Sequence, residues 1–201
     1  MKLTRSLMAG IALAMALGSA RAGNDFDYCL LCHGANANGN YGIRAPKLSG
    51  MEPWYLARQL ENFAAGTRGV PADDESGHEM GPVGMRLKHE GAIDAAVQFI
   101  GKLESKRPAP TVSGDVANGK KLYANCVSCH GAKGEGNASL NSPALAARSD
   151  WYLVTQLANF RKGVRGADER DTYGAQMRAI AATLPDDKAI TDVVAYINTL
   201  K

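Results

Sequence analysis

The chain has 201 residues, with 23 basic and 20 acidic side chains, a formal charge of +3, 45 % hydrophobic but only 6 % aromatic residues, 22 glycines and four cysteines. That composition suits a globular protein, yet it leaves a core short of large rings. Lys2, Arg5 and Arg21 sit in the first 22 residues, which hold no acidic group, so the rest of the chain carries 20 charges of each sign and offers no electrostatic footprint for a nucleic acid.

Residues 1–22 read as a secretory signal, with Lys2 and Arg5 at its charged start, an apolar stretch from Leu7 to Leu17 and the small-x-small site Ala20-Arg21-Ala22. The stretch is 11 residues long, whereas a bilayer-spanning helix needs roughly 20. No later segment comes close, so no integral membrane segment is expected after cleavage near Ala22, and peripheral association with a membrane is left open. Export predicts a periplasmic location.

Cys29-Leu30-Leu31-Cys32-His33 follows within a few residues of the signal. Pro53 to Gly66 then places Trp54, Leu56, Leu60 and Phe63 at helical spacing, and a loop marked by Gly77 carries Met80. An amphipathic helix follows with Ile93, Val97, Ile100 and Leu103 on one stripe. Residues 105–113 contain two prolines and no apolar periodicity, the pattern of a short stiffened linker. Asp115 to Cys126 forms another helix and leads into Cys126-Val127-Ser128-Cys129-His130; the first half has only about six residues of lead before Cys29, so its opening helix is shortened or missing. Asp150 to Gly163 repeats the Pro53 to Gly66 pattern with Asp150 at the N-cap, Met177 follows in a loop marked by Gly174, and Asp186 to Leu200 closes the chain with Ile190, Val193, Val194, Ile197 and Leu200 on one stripe. No run alternates for long in a strand-like way, so the fold class is all-α with long glycine-rich loops.

Those elements repeat. Residues 23–104 against 120–201, an ungapped offset of 97, give 28 identities in 82 pairs, where unrelated sequences give roughly 5 on average residue usage. The chain is therefore an internal duplication: domain 1 over 23–104, linker 105–113, domain 2 over 114–201. Domains this small want a staple beyond their own core.

The cysteines supply its chemistry. C-x-x-C-H is the attachment signature of c-type haem: two thiols at that spacing form thioethers with the vinyl groups of one porphyrin, and the adjacent His33 or His130 is held beneath the iron. Two such motifs predict two covalently bound haem c groups, whose rings fill the aromatic deficit. Disulfides, a zinc site and a thioredoxin-like pair compete for the same cysteines, but none accounts for a histidine placed identically twice. Of seven methionines only Met80 and Met177 occupy equivalent positions, each 47 residues after its histidine, and His with Met is a recognised haem pairing. His78 is the rival ligand in the first half, although Ala175 stands at its counterpart. Pro46 and Pro143, each 13 residues after the histidine, are placed either to present a carbonyl to the imidazole or simply to turn the chain. Trp54, Tyr55, Trp151 and Tyr152 suit a haem edge or helix packing, and Arg68 and Arg165, in matching Gly-x-Arg-Gly turns, suit propionates or solvent.

On these motifs, together with the W-Y-L-x-x-Q-L-x-N-F-x-x-G-x-R-G stretch of both halves and the methionine before a final Val-x-x-Ile-x-x-Leu helix, the chain resembles class I cytochromes c, and over its whole mature length the dihaem cytochrome c4 family. The resemblance implies two tandem cytochrome c domains about a pseudo-twofold axis. It implies thioethers at Cys29, Cys32, Cys126 and Cys129, proximal ligation by His33 and His130, and distal ligation by Met80 and Met177. It further implies a periplasmic electron carrier with no catalytic residues, passing single electrons from a quinol-oxidising complex to a terminal oxidase. The alternative is an electron-transfer subunit of a periplasmic sulfur-compound dehydrogenase.

Overall fold

The computed structural model describes residues 25–201; the segment read as a signal, with its cleavage site, lies outside them. The first half contains α1 (Tyr28–His33), α2 (Pro53–Ala65), α3 (Glu75–Arg86) and α4 (Ala92–Gly101). The second contains α5 (Val116–Tyr123), α6 (Val127–His130), α7 (Asp150–Lys162), α8 (Thr172–Ala181) and α9 (Asp187–Ile197). Among the described residues the only β pairing is one isolated bridge per half, Asn40 with Ala45 and Asn137 with Ser142.

Local chemistry sets the helix ends. Pro53 starts α2, where its missing N–H costs nothing, and Gly66 and Gly163 end α2 and α7 in the left-handed conformation at φ 68° and 74°. Asp115 and Asp186 cap α5 and α9 by accepting from the Asn118 and Ala189 amides. Ser149, not Asp150, is the N-cap of α7; Asp150 is its first helical residue.

Met80 and Met177 lie inside helices, α3 and α8, and not in loops. The glycines that suggested a loop serve tight packing instead. Asp74 and Asp171 cap these helices through the Gly77 and Gly174 amides, and any side chain at Gly77 or Gly174 would strike the capping carboxylate. Gly84 lets α3 press on the α2 backbone at Phe63 and Ala64, a contact that outweighs its poor helix propensity and that of Pro82.

Each half has its own core. Ile190, Val193, Val194 and Ile197 of α9 pack with Tyr123 and Leu184 in the second; Leu56, Leu60, Leu87, Ala96 and Ile100 pack with Met80 and Cys29 in the first. α5 crosses α9 so closely that Gly119 rests on the Asp192 carbonyl. In the first half Phe26 packs on Phe99 of α4, with ring centroids 6.1 Å apart, at the positions where Tyr123 meets Tyr196 at 5.3 Å. The aromatic contact made by the last residue of α5 thus has its counterpart in the first half.

The linker is fastened down. Arg107 donates to the carbonyls of Asn198 and Leu200 at the end of α9, and Asp150 accepts from Thr111 and Val112.

Candidate haem sites

The C-x-x-C-H motifs coil into α1 and α6, and that single turn carries each histidine inward. His33 and His130 are both 5 % exposed. The chain after each motif returns through a glycine-rich loop so that a proline carbonyl meets the ring: His33 Nδ1 donates to Pro46 O and His130 Nδ1 to Pro143 O, both at 2.7 Å. This settles the role of the two prolines as more than turn residues. Donation from Nδ1 leaves the Nε2 lone pair of the neutral imidazole for a metal. Burial holds both imidazoles below their usual range, against the opposing pull of those carbonyl hydrogen bonds, so both rings are neutral near pH 7.

His130, Met177, Cys126 and Cys129 line one cavity in the second half, with Leu153, Leu157, Phe160, Leu184 and Val193 supplying an apolar wall. His33 and Met80 line another in the first half, with Leu48, Leu56, Leu60 and Phe63; Cys29 packs beside Met80 in the core, and Cys32 is exposed. No disulfide joins any of the four cysteines. Burial raises the Cys29 thiol and pushes Cys126 up to about 11. His78 is exposed, with Nδ1 3.3 Å from the Gly69 carbonyl, and does not line the cavity that holds His33 and Met80.

Arg68 and Arg165 are 7 % and 6 % exposed, which excludes the solvated one of their two readings. They form a reciprocal lattice between the halves. Arg68 donates to Gln59 of its own half at 2.8 Å, and to Tyr152 Oη and Gln156 Oε1 of the other at 2.9 and 3.1 Å. Arg165 donates to Gln156 at 2.7 Å, and across to Gln59 Oε1 and Tyr55 Oη at 2.7 and 3.3 Å. The two cavities share Met51, Tyr55, Gln59, Tyr152 and Gln156 on their walls, so only this layer of side chains separates them. Gln59 and Gln156 were not singled out from sequence, although a polar residue identical in both halves on an otherwise apolar helix face was the available signal.

A cytochrome c family model matches residues 20–104 and again residues 116–201. Cytochrome c4 of Azotobacter vinelandii is 31 % identical to this chain, across 94 % of it and 92 % of the relative. The chain belongs to the cytochrome c4 family. A thiosulfate dehydrogenase electron acceptor of Stutzerimonas stutzeri (strain A1501) is 33 % identical, across 76 % of this chain and 72 % of that one. The as-isolated structure of thiosulfate dehydrogenase TsdBA from Marichromatium purpuratum superposes with a TM-score of 0.67 and 32 % identity over 86 % of this chain, which spans only 36 % of that one.

As a member of the cytochrome c4 family the protein binds two haem c groups covalently, and its two C-x-x-C-H motifs fall one in each cytochrome c domain. It is a dihaem electron-transfer cytochrome, an electron carrier and not an enzyme. The residues fit the group. Each half combines a buried histidine with a free Nε2, a methionine lining the same cavity and an apolar lining. Arg68 Nε and Arg165 Nε are buried without an acceptor among the described residues, and each residue lines its cavity, a donor set matched to the carboxylates a haem carries. No helix among the described residues is long and apolar enough to cross a membrane.

Proposed function

We propose that the two domains, 23–104 and 114–201 joined by the linker 105–113, each hold one haem c, haem 1 on Cys29 and Cys32 and haem 2 on Cys126 and Cys129. His33 and Met80 ligate the first iron, and His130 and Met177 the second. With both axial positions taken, each iron cycles between ferrous and ferric states and no substrate bond changes. The observation that carries this reading is that in both halves a carbonyl-oriented histidine and a methionine line one cavity. The shared side-chain layer supports electron exchange between the haems.

The mature protein works in the periplasm after cleavage near Ala22, taking electrons from a quinol-oxidising complex and delivering them to a terminal oxidase. Similarity to a thiosulfate dehydrogenase electron acceptor favours a second reading, in which the donor is a sulfur-compound dehydrogenase. Spectroscopic redox titration with pyridine haemochrome quantification tests the core of this proposal. Two haems per chain are expected, both low-spin with a methionine-to-iron charge-transfer band. Met80→Ala and Met177→Ala should each lower the potential of one haem alone, and an unchanged potential in either variant would refute that ligand. Reduction of the purified protein by a thiosulfate-oxidising enzyme, compared with reduction by a quinol-oxidising complex, separates the two donors.

A further inference from the structure

Glu52 and Ser149 are equivalent residues, 97 positions apart, and each occupies the N-cap of its helix, α2 or α7. Neither side chain caps, although serine at this position usually does. Both reach across the seam instead, to the same peptide group of the opposite half. Glu52 Oε1 accepts from the Ala144 amide at 2.7 Å. Ser149 Oγ accepts from the Lys47 amide at 3.3 Å. Ala144 N–H belongs to the peptide unit whose carbonyl, Pro143 O, receives the His130 Nδ1–H; Lys47 N–H belongs to the unit whose carbonyl, Pro46 O, receives the His33 Nδ1–H.

The two proximal histidines therefore hang on matching chains of hydrogen bonds that end differently. At His130 the chain ends on a carboxylate of the other half, and at His33 on a weakly held neutral hydroxyl. An amide N–H that donates to an anion shifts amide electron density onto its carbonyl oxygen, and linked hydrogen bonds strengthen one another. A stronger acceptor at Nδ1–H gives the imidazole more imidazolate character and raises its basicity as a ligand, which favours ferric over ferrous iron. Arg148 holds the other carboxylate oxygen, Nη2 to Glu52 Oε2 at 3.2 Å, and ties back to Gly50 O at 2.8 Å. It thereby fixes Glu52 on the Ala144 amide. On the opposite side the charge is reversed: Lys47 is buried, its Nζ donates to Ser49 O and Ser105 Oγ, and its counterpart is Ala144.

We propose that Glu52 is a positioning residue for the iron site of the other domain, acting through the Pro143–Ala144 peptide to lower the reduction potential of haem 2 relative to haem 1. The inference rests on His130 being the proximal ligand. The two haems are thus made unequal by residues outside their own ligand sets, and electrons leave haem 2 the more readily.

The test is Glu52→Gln in the dihaem protein, which keeps an oxygen for the Ala144 amide and removes the charge. The reduction equilibrium of haem 2 should shift towards ferrous iron by about threefold to tenfold, or roughly 30–60 mV at 59 mV per tenfold for one electron, while haem 1 stays in place. In the ferrous protein the Nδ1–H proton resonance of His130 should move upfield in the variant and that of His33 should not. Equal shifts of both potentials, or an unmoved haem 2, would overturn the proposal. Should the variant fold poorly, the wild type decides: the His130 Nδ1–H resonance must lie downfield of the His33 one, and the reverse order overturns it. The wild-type low-spin spectrum and methionine-to-iron band report separately on the ligand assignment, so a failure there is distinguishable from a failure of the tuning.

Discussion

Replacing Asp150 by asparagine should loosen the hold of domain 2 on the linker at a cost that can be worked from the structure. Asp150 is 2 % exposed and accepts five hydrogen bonds: from Thr111 N at 2.6 Å, Thr111 Oγ1 at 2.7 Å, Val112 N at 2.8 Å, Trp151 N at 2.8 Å and Asn198 Nδ2 at 2.9 Å. An asparagine oriented with its amide nitrogen at the Oδ1 place still offers one oxygen to Thr111 N, Val112 N and Asn198, and Thr111 Oγ1 can turn to accept. The Trp151 amide loses its partner, the other bonds lose their charge assistance at about 0.5–1 kcal/mol each, and the α7 N-terminus loses a favourable anion. The sum is about 3 kcal/mol, which for a protein of this size lowers Tm by roughly 6–12 °C. The sign with pH is fixed. Burial pushes the Asp150 carboxyl up, but the hydrogen bonds from Thr111, Val112 and Asn198 outweigh it and hold the group below its usual 3.8. Its stabilisation is therefore complete above about pH 4 and is lost as pH falls through the depressed folded-state value. Denaturant unfolding followed by circular dichroism at pH 7 and at several acid values measures the gap between wild type and variant. A gap under 0.5 kcal/mol at neutral pH, or one that stays constant into strong acid, would refute this account of the linker clamp.

Lys47→Met should raise stability at pH 7, since burial and nearby Arg148 depress the ammonium from 10.5 to about 8. The unfolded chain binds more protons between those values, so wild-type stability rises with pH across that window, and unfolding midpoints at pH 7 and pH 10.5 should show the advantage of the variant closing. Gly119→Ala would drive a methyl group into the Asp192 carbonyl where α5 crosses α9 and should cost about 2 kcal/mol; a melting temperature equal to wild type would show that the crossing relaxes freely.

Much of this molecule was legible before any coordinates. The 97-residue offset exposed the duplication, the C-x-x-C-H strings named the haem, and the stripes of α2, α4, α7 and α9 were found nearly to the residue, because apolar periodicity and capping residues are local signals. What escaped is non-local. Met80 and Met177 read as loop residues because Gly77 and Gly174 weaken helix propensity, whereas the real use of those glycines is close approach to the capping aspartates. For Arg68 and Arg165 the sequence left propionates and solvent as alternatives and gave no sign of the lattice, because the acceptors Tyr152, Gln156, Tyr55 and Gln59 come from the opposite half. Glu52 and Ser149 differ from each other, so the repeat gave no reason to notice either.

The crossed arginine lattice also bears on ancestry. Arg68 reaches Tyr152 as Arg165 reaches Tyr55, the self-complementary pattern of an isologous contact. It is the contact that two copies of a one-haem progenitor would make about a true dyad. Joining those copies in one polypeptide released matched positions from having to mutate together, and only then was a carboxylate free to stand on one side of the seam and a hydroxyl on the other.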